Sequence, residues 1–493
     1  MRISNIGFFI ILQLLGLTLW LLNSHATVVH SQKVEYLPGF DGPLPFSLET
    51  GYIGVDEGEE AQLFYYFFES ENNPKQDPVI LWLTGGPLCS AMSAILYEIG
   101  PIQLEEVDNV ETIPKLFLRQ YAWTKTASIL FVDFPAGAGF SYAETSRANY
   151  SGDFRASHNI NQFLRKWLLN HPQFLSNPLY LGGDSYTGFT LPLYFIDMIY
   201  DNERGGQPFL NLKDILRSIL TSPFNNIFEY FYIQGYILGN PATDRFIDSN
   251  YQVPFAHGMG LISDEQYKSL QRTCRGQYQL VNARNQECRN NIKNFEWGLL
   301  GIQITMTLEN YCDIDSLRIH GISGSKRRMM IDRVNSLLHL KQLGAYDCRK
   351  EGYLVAKQWM NQKSVQKALH VRKETIGNWI RCNYKFNYSY EVPSSVPYHV
   401  KISAKGFRSL IYSGDHDMIV PFLGTQAWIR SLNYSIIDDW RKWLVDGQIA
   451  GFTRTYANKM TFATVKGAGH TAPEYKPKQC AFMFKRWIRG EAL

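Results

Sequence analysis

Short apolar runs, each stopped by turn residues, recur along the chain. Val79-Ile80-Leu81-Trp82-Leu83 halts at Thr84-Gly85-Gly86-Pro87, and Ser128-Ile129-Leu130-Phe131-Val132 halts at Asp133-Phe134-Pro135. Runs that stay apolar without alternating predict strands covered on both faces, as in a parallel sheet. Leu179-Tyr180-Leu181, Tyr236-Ile237-Leu238, Ser409-Leu410-Ile411-Tyr412 and Met460 to Val465 continue the series. Between the second and third of these, Asn159 to Asn170 has helical spacing, with Phe163, Leu164 and Trp167 on one side. Alternating strands and helices predict an α/β fold. From about 243 to 350 the pattern turns helical, charged and cysteine-rich, which predicts a cap inserted into one α/β unit.

Composition narrows the class. The 493 residues, 45% hydrophobic and 19% charged, suffice for two ordinary domains or one large unit and exclude a disordered chain. A net charge of +4, with only short basic clusters such as Lys326-Arg327-Arg328, argues against nucleic acid as a partner. Arg2, the apolar stretch Phe8 to Leu22 and then Ser24-His25-Ala26 predict a signal peptide over 1–26, leaving 27–493 as the mature chain. The run is shorter than the ~20 residues of a spanning helix and contains Gln13 and Gly16, so no membrane association is expected after its removal. In the secretory route Asn149, Asn387 and Asn433, each in an Asn-Tyr-Ser triplet, become glycosylation candidates. The seven cysteines show no Cys-x-x-Cys metal spacing. They read as disulfides with at least one thiol left over, the pairing being open at this point.

The chemistry sits at the ends of the predicted strands. Gly183-Asp184-Ser185-Tyr186-Thr187-Gly188 follows Leu179-Leu181 and precedes an apolar, helix-like run. A serine on such a strand-to-helix turn has its hydroxyl raised above the sheet edge, free to attack. Alone the hexapeptide is equally an ordinary glycine-rich turn. A serine needs a histidine base and a carboxylate that orients it. Asp415-His416-Asp417 follows the strand ending at Tyr412, and Gly469-His470 follows the strand ending at Val465. A parallel sheet brings all three loops to one edge, in the order Ser, Asp, His of α/β-hydrolases. Taken singly, Asp415, Asp417 and His470 read as turn or core residues.

Together these segments resemble the serine carboxypeptidase family, in particular its plant serine carboxypeptidase-like branch. The resemblance runs through Leu37-Pro38-Gly39-Phe40, Glu49-Thr50-Gly51-Tyr52, Gly85-Gly86-Pro87, Gly139-Phe140-Ser141-Tyr142, the Ser185 loop, Asp415-His416-Asp417, Gly469-His470 and Trp487, nearly the whole mature chain. It implies an α/β-hydrolase fold with a mostly parallel central sheet and a helical, disulfide-containing cap, secreted or vacuolar, with no metal and no cofactor. It implies Ser185 as nucleophile, Asp417 rather than Asp415 as the orienting carboxylate, His470 as base, and the amides of Gly86 and Tyr186 as oxyanion hole. Thr84, Glu98 and Asp184 fall at the positions that receive a substrate's C-terminal carboxylate. Two acids sharing a site with a carboxylate cannot all ionise, so they must hold protons, and activity should favour acid pH.

The implied partner is a peptide C-terminus. A small acyl ester is the alternative, because enzymes of the plant branch also transfer acyl groups from glucose esters to alcohols, and Asp before the nucleophile is frequent among them. Leu88 stands where the family pattern has Gly; at positive φ a branched side chain there is costly and threatens to displace Gly86. Segment 214–233, with Phe224, Phe228, Tyr230 and Phe231, adds to what related chains carry. It reads as a lid helix or as translated non-coding sequence, and the second is preferred because it interrupts the approach to a buried strand. These two departures support a third reading, a catalytically impaired binding protein. The resemblance pairs Cys89 with Cys382, Cys274 with Cys288 and Cys312 with Cys348. Cys480 is left as a small buried hydrophobe on a C-terminal helix, and Lys326-Arg327-Arg328 reads as a solvated loop or a processing site.

Overall fold

The computed structural model describes residues 30–105, 113–205, 210–211, 231–311 and 349–493. Segment 1–26, most of 214–233, Cys312, Cys348 and Lys326-Arg327-Arg328 therefore lie outside the described residues.

One large sheet organises the molecule. Its main strands are β1 (His30–Lys33), β2 (Leu48–Val55), β3 (Ala61–Phe68), β4 (Val79–Leu83), β5 (Ser128–Val132), β6 (Pro178–Asp184), β7 (Phe231–Gly239), β8 (Arg408–Gly414), β9 (Ile436–Val445), β10 (Gln448–Tyr456) and β11 (Met460–Val465). They lie side by side in the order β1-β2-β3-β5-β4-β6-β7-β8-β11-β10-β9. The run from β5 through β4, β6, β7 and β8 to β11 is parallel, and antiparallel strands flank it on both sides. Each apolar run predicted as a strand lies in this parallel centre, and β4, β5 and β11 are buried at every position. The strand expected at Tyr236-Leu238 begins earlier, at Phe231, so the last residues of 214–233 belong to the sheet and Ile233 is buried.

Two cores cover the two faces. On one, α1 (Asp153–Asn170) and α2 (Thr187–Glu203) pack Ile160, Phe163, Trp167, Leu191 and Phe195 against Leu81, Leu130, Leu181 and Leu238. On the other, Ile95 and Ile99, with Met483 and Phe484 of α3 (Pro477–Ile488), meet Ile80, Trp82, Ile237 and Tyr412. Such double cover is why the central strands carry no polar alternation. The described part of 243–350 holds short helices, among them Asp264–Cys274 and Gln286–Gly298, around a small separate core with Leu270, Cys274, Cys288 and Phe295.

Candidate active site

The parallel order brings the ends of β4, β6, β7, β8 and β11 to one edge. Ser185 follows β6 with φ at 55°. That left-handed conformation costs a non-glycine residue about 1–2 kcal/mol, and three backbone hydrogen bonds impose it. Ser185 N donates to Gly239 O at 2.9 Å, while its own carbonyl accepts from Gly188 N and Ala242 N, each at 3.0 Å. The hydroxyl is thereby lifted off the sheet at the start of α2. His470, on the loop after β11, is held by its amide, which donates to Thr305 O at 2.7 Å.

His470 Nε2 lies 2.8 Å from Ser185 Oγ, and Nδ1 lies 2.8 Å from Asp417 Oδ2. A carboxylate only accepts, so Nδ1 carries the proton and Nε2 is left to receive the one from Ser185. Burial opposes charging His470, but the Asp417 carboxylate outweighs it and holds the imidazole above its ordinary pKa. Asp417 is fully buried and accepts further from Asn240 Nδ2 at 2.9 Å and from the amides of Ile419 at 2.8 Å and Val420 at 3.3 Å. Asp415 turns elsewhere, meeting Gly467 N at 2.7 Å and His416 Nδ1 at 2.6 Å. The geometry thus brings Asp417, not Asp415, to His470.

The loop after β4 closes the site. A Cβ on Gly85 would stand 2.6 Å from Ser185 Cβ and 3.0 Å from Tyr186 N, so only glycine allows this approach. The amides of Gly86 and Tyr186 make no hydrogen bond to another backbone group among the described residues. Leu88 does have positive φ, 70°, yet its side chain is buried at 2% exposure. The loop is tied down by the Cys89–Cys382 disulfide and by Asp133, fully buried, whose Oδ1 accepts from Ser90 Oγ at 2.6 Å and from Ala91 N at 2.8 Å. A second disulfide joins Cys274 and Cys288, and Cys480 is free and buried.

Beside the serine, Glu98 and Asp184 are 3% and 4% exposed. Burial pushes Asp184 up to about 6, against a 3.0 Å hydrogen bond from Gly85 N to its Oδ1. Burial first and the Asp184 charge second raise Glu98 well above the usual carboxylate range. Thr84 borders the same place, with its Oγ1 buried and unpartnered among the described residues. Asn149, Asn387 and Asn433 are exposed. Three contributors escaped the sequence reading: Asn240, Asp133 and the Thr305 carbonyl. Asn240 carried a usable signal, since Gly239-Asn240-Pro241 ends a buried strand at the same edge as the other loops.

The chain is similar to known proteins in sequence and in fold. The family model for serine carboxypeptidases matches residues 38–490. Serine carboxypeptidase-like 17 of Arabidopsis thaliana is 47% identical over 480 residues, 96% of this chain and 98% of the relative. Serine carboxypeptidase-like 19 of the same plant is 47% identical over 473 residues, 95% of this chain and 96% of its own. Among solved structures, Kex1(Δp), a prohormone-processing carboxypeptidase from Saccharomyces cerevisiae, superposes with a TM-score of 0.66 at 20% identity, covering 92% of this chain and 94% of its own. The shared fold is that of the α/β-hydrolases.

Proposed function

Since the chain belongs to the serine carboxypeptidase family, we propose that it hydrolyses peptides at their free C-terminus through an acyl-enzyme on Ser185. The observation that carries this reading is the unbroken Asp417–His470–Ser185 line, both links 2.8 Å, beside two buried acids. Ser185 Oγ attacks the carbonyl carbon while His470 Nε2 takes its proton, and Asp417 steadies the resulting imidazolium. The oxyanion faces the Gly86 and Tyr186 amides. His470 returns the proton to the departing amine, and water repeats the cycle on the ester. Glu98 and Asp184, holding protons, donate to the terminal carboxylate together with Thr84. Leu88 is compatible with this chemistry, because its positive φ coexists with the intact line. That weighs against a purely binding role.

Stoichiometric labelling of Ser185 by an organophosphate, with mass-spectrometric detection of shortened peptides, tests the proposal. Labelling with loss of C-terminal residues that Ser185→Ala abolishes is the expected result; an unlabelled serine sinks it. The short acid Asp184 and the amide-free Thr84 favour a second reading, in which the acyl-enzyme passes to an alcohol from a glucose ester. Supplying such an ester with an alcohol, and weighing product against free acid, separates the two. In either reading the enzyme is secreted or vacuolar, and its substrate is a peptide or a small ester.

A further inference from the structure

The acid pair does not stand alone on its face of the sheet. Gly183 of β6 pairs with Leu83 of β4, so Asp184 lies level with Thr84; Asp184 pairs with Gly239 of β7, and Gly239 with Tyr412 of β8. In-register neighbours on parallel strands point to the same face. Thr84, Asp184 and Tyr412 therefore form one row at the carboxyl edge, and Tyr412 shares its core with Cys480 of α3 and with Ile95 and Ile99, which flank Glu98. The gap in the row is Gly239, and a Cβ there would overlap the Tyr412 hydroxyl. The phenol thus lies across Gly239 toward Asp184.

Thr84 Oγ1, Glu98 Oε2 and Tyr412 Oη are all buried and without a hydrogen-bond partner among the described residues. An unmet buried polar atom costs about 1–3 kcal/mol, and two in this row with a third on Glu98, the partner acid of Asp184, call for a shared ligand. The Tyr412 hydroxyl, standing over Gly239 one strand from Asp184, makes no direct hydrogen bond to it, and one intervening oxygen would join the two. We infer that Tyr412, Thr84 and Glu98 bound a niche for a single oxygen atom, a water or one oxygen of the substrate's terminal carboxylate, and that Tyr412 is a specificity-determining residue. The inference rests on the carboxylate-recognition reading of the acid pair.

The test uses the full chain carrying Ser185→Ala, which binds without turnover, and compares a peptide with its C-terminal amide by calorimetry across acid and neutral pH, with and without Tyr412→Phe. If the niche takes a carboxylate oxygen, Tyr412→Phe weakens the free-acid peptide by about tenfold and leaves the amide unchanged. If it takes a water that orders the acid pair, affinity at acid pH holds, while the pH at which free-acid binding is lost moves upward, because a donor to the charged form has gone. No change in either quantity overturns the inference while leaving the acid-pair reading intact. Equal binding of acid and amide by the parent protein overturns that reading and the niche with it. Tyr412→Phe should keep or gain thermal stability, since the hydroxyl has no hydrogen-bond partner among the described residues; a loss of folding would also refute the assignment.

Discussion

Asp184→Asn should uncouple substrate binding from pH. Asp184 is 4% exposed and held up to about 6 by burial, against the opposing Gly85 amide. On the proposed function the competent form carries the proton, so competence is full well below that value and is lost as pH rises through it. For one required proton the protonated fraction falls from about nine-tenths near pH 5 to about one-tenth near pH 7, so KM for a free-carboxylate peptide rises about tenfold. The asparagine keeps an oxygen for Gly85 N, 3.0 Å away in the parent, and offers an amide donor at every pH. Glu98, which burial raises well above the usual carboxylate range, is untouched by the substitution and remains beside the new amide. The variant's KM should then stay within about twofold from pH 5 to 7. The kcat carries the opposite limb, because His470 must lose its proton to act as base and Asp417 holds it on. Steady-state kinetics on a blocked dipeptide, with KM and kcat resolved at each pH, reads both. A parent KM that does not change over this interval, or an Asp184→Asn variant that tracks the parent, refutes the argument.

Leu88→Gly and Leu88→Ala should both destabilise, because a buried leucine is lost, at about 2–5 kcal/mol. Only glycine relieves the strain at φ 70°, so the Gly variant should be the more stable by about 0.5–1 kcal/mol; urea denaturation giving the usual Ala-over-Gly order would contradict this. Asn240→Ala removes the 2.9 Å donor to Asp417 and should lower kcat about ten- to hundredfold with KM little changed, whereas a loss confined to KM would place Asn240 elsewhere in the chemistry. Opening Cys89–Cys382 by paired serine substitution should cost about 2–5 kcal/mol and lower kcat, since the bridge holds the loop that carries Gly86; opening Cys274–Cys288 should leave kcat alone, and equal effects on activity would deny the loop its role.

The parallel centre of the sheet was legible because β4, β5 and β11 are covered on both faces and so carry bare apolar runs. The β9–β10 hairpin was not, since Ile437 is 65% exposed and Ile449 41%, which erases the alternation a reader would seek. Ser185, Asp417 and His470 could be found because each follows such a strand. Choosing Asp417 over Asp415 needed the family resemblance, and the geometry explains the choice: the Gly467 amide and His416 ring engage Asp415 two residues before Asp417 meets His470. Asn240 ended a strand just as visibly and was passed over because its amide donates to a carboxylate instead of reacting. The Thr305 carbonyl on the His470 amide left no trace, since a backbone contact between distant segments imposes no residue type.

Two buried carboxylates stand at one sheet edge in opposite surroundings, and the difference comes from the donors around them. Four donors converge on Asp417: His470 Nδ1, Asn240 Nδ2 and the amides of Ile419 and Val420. Such a set of donors fixes the carboxyl against the histidine, and in the proposed mechanism it suits the group that steadies an imidazolium. Asp184 receives Gly85 N but faces Glu98, a second acid that cannot share a negative charge with it. It suits a group that must present a proton to an anion. Swapping the surroundings would require moving backbone amides as well as side chains, because the loop after β8 supplies two of the four donors to Asp417 and the loop after β4 supplies the amide to Asp184. The order of strands across the sheet therefore sets the two acids apart: β8 and β11 bring Asp417 to His470, while β4 and β6 bring Asp184 to the Gly85 amide next to Ser185.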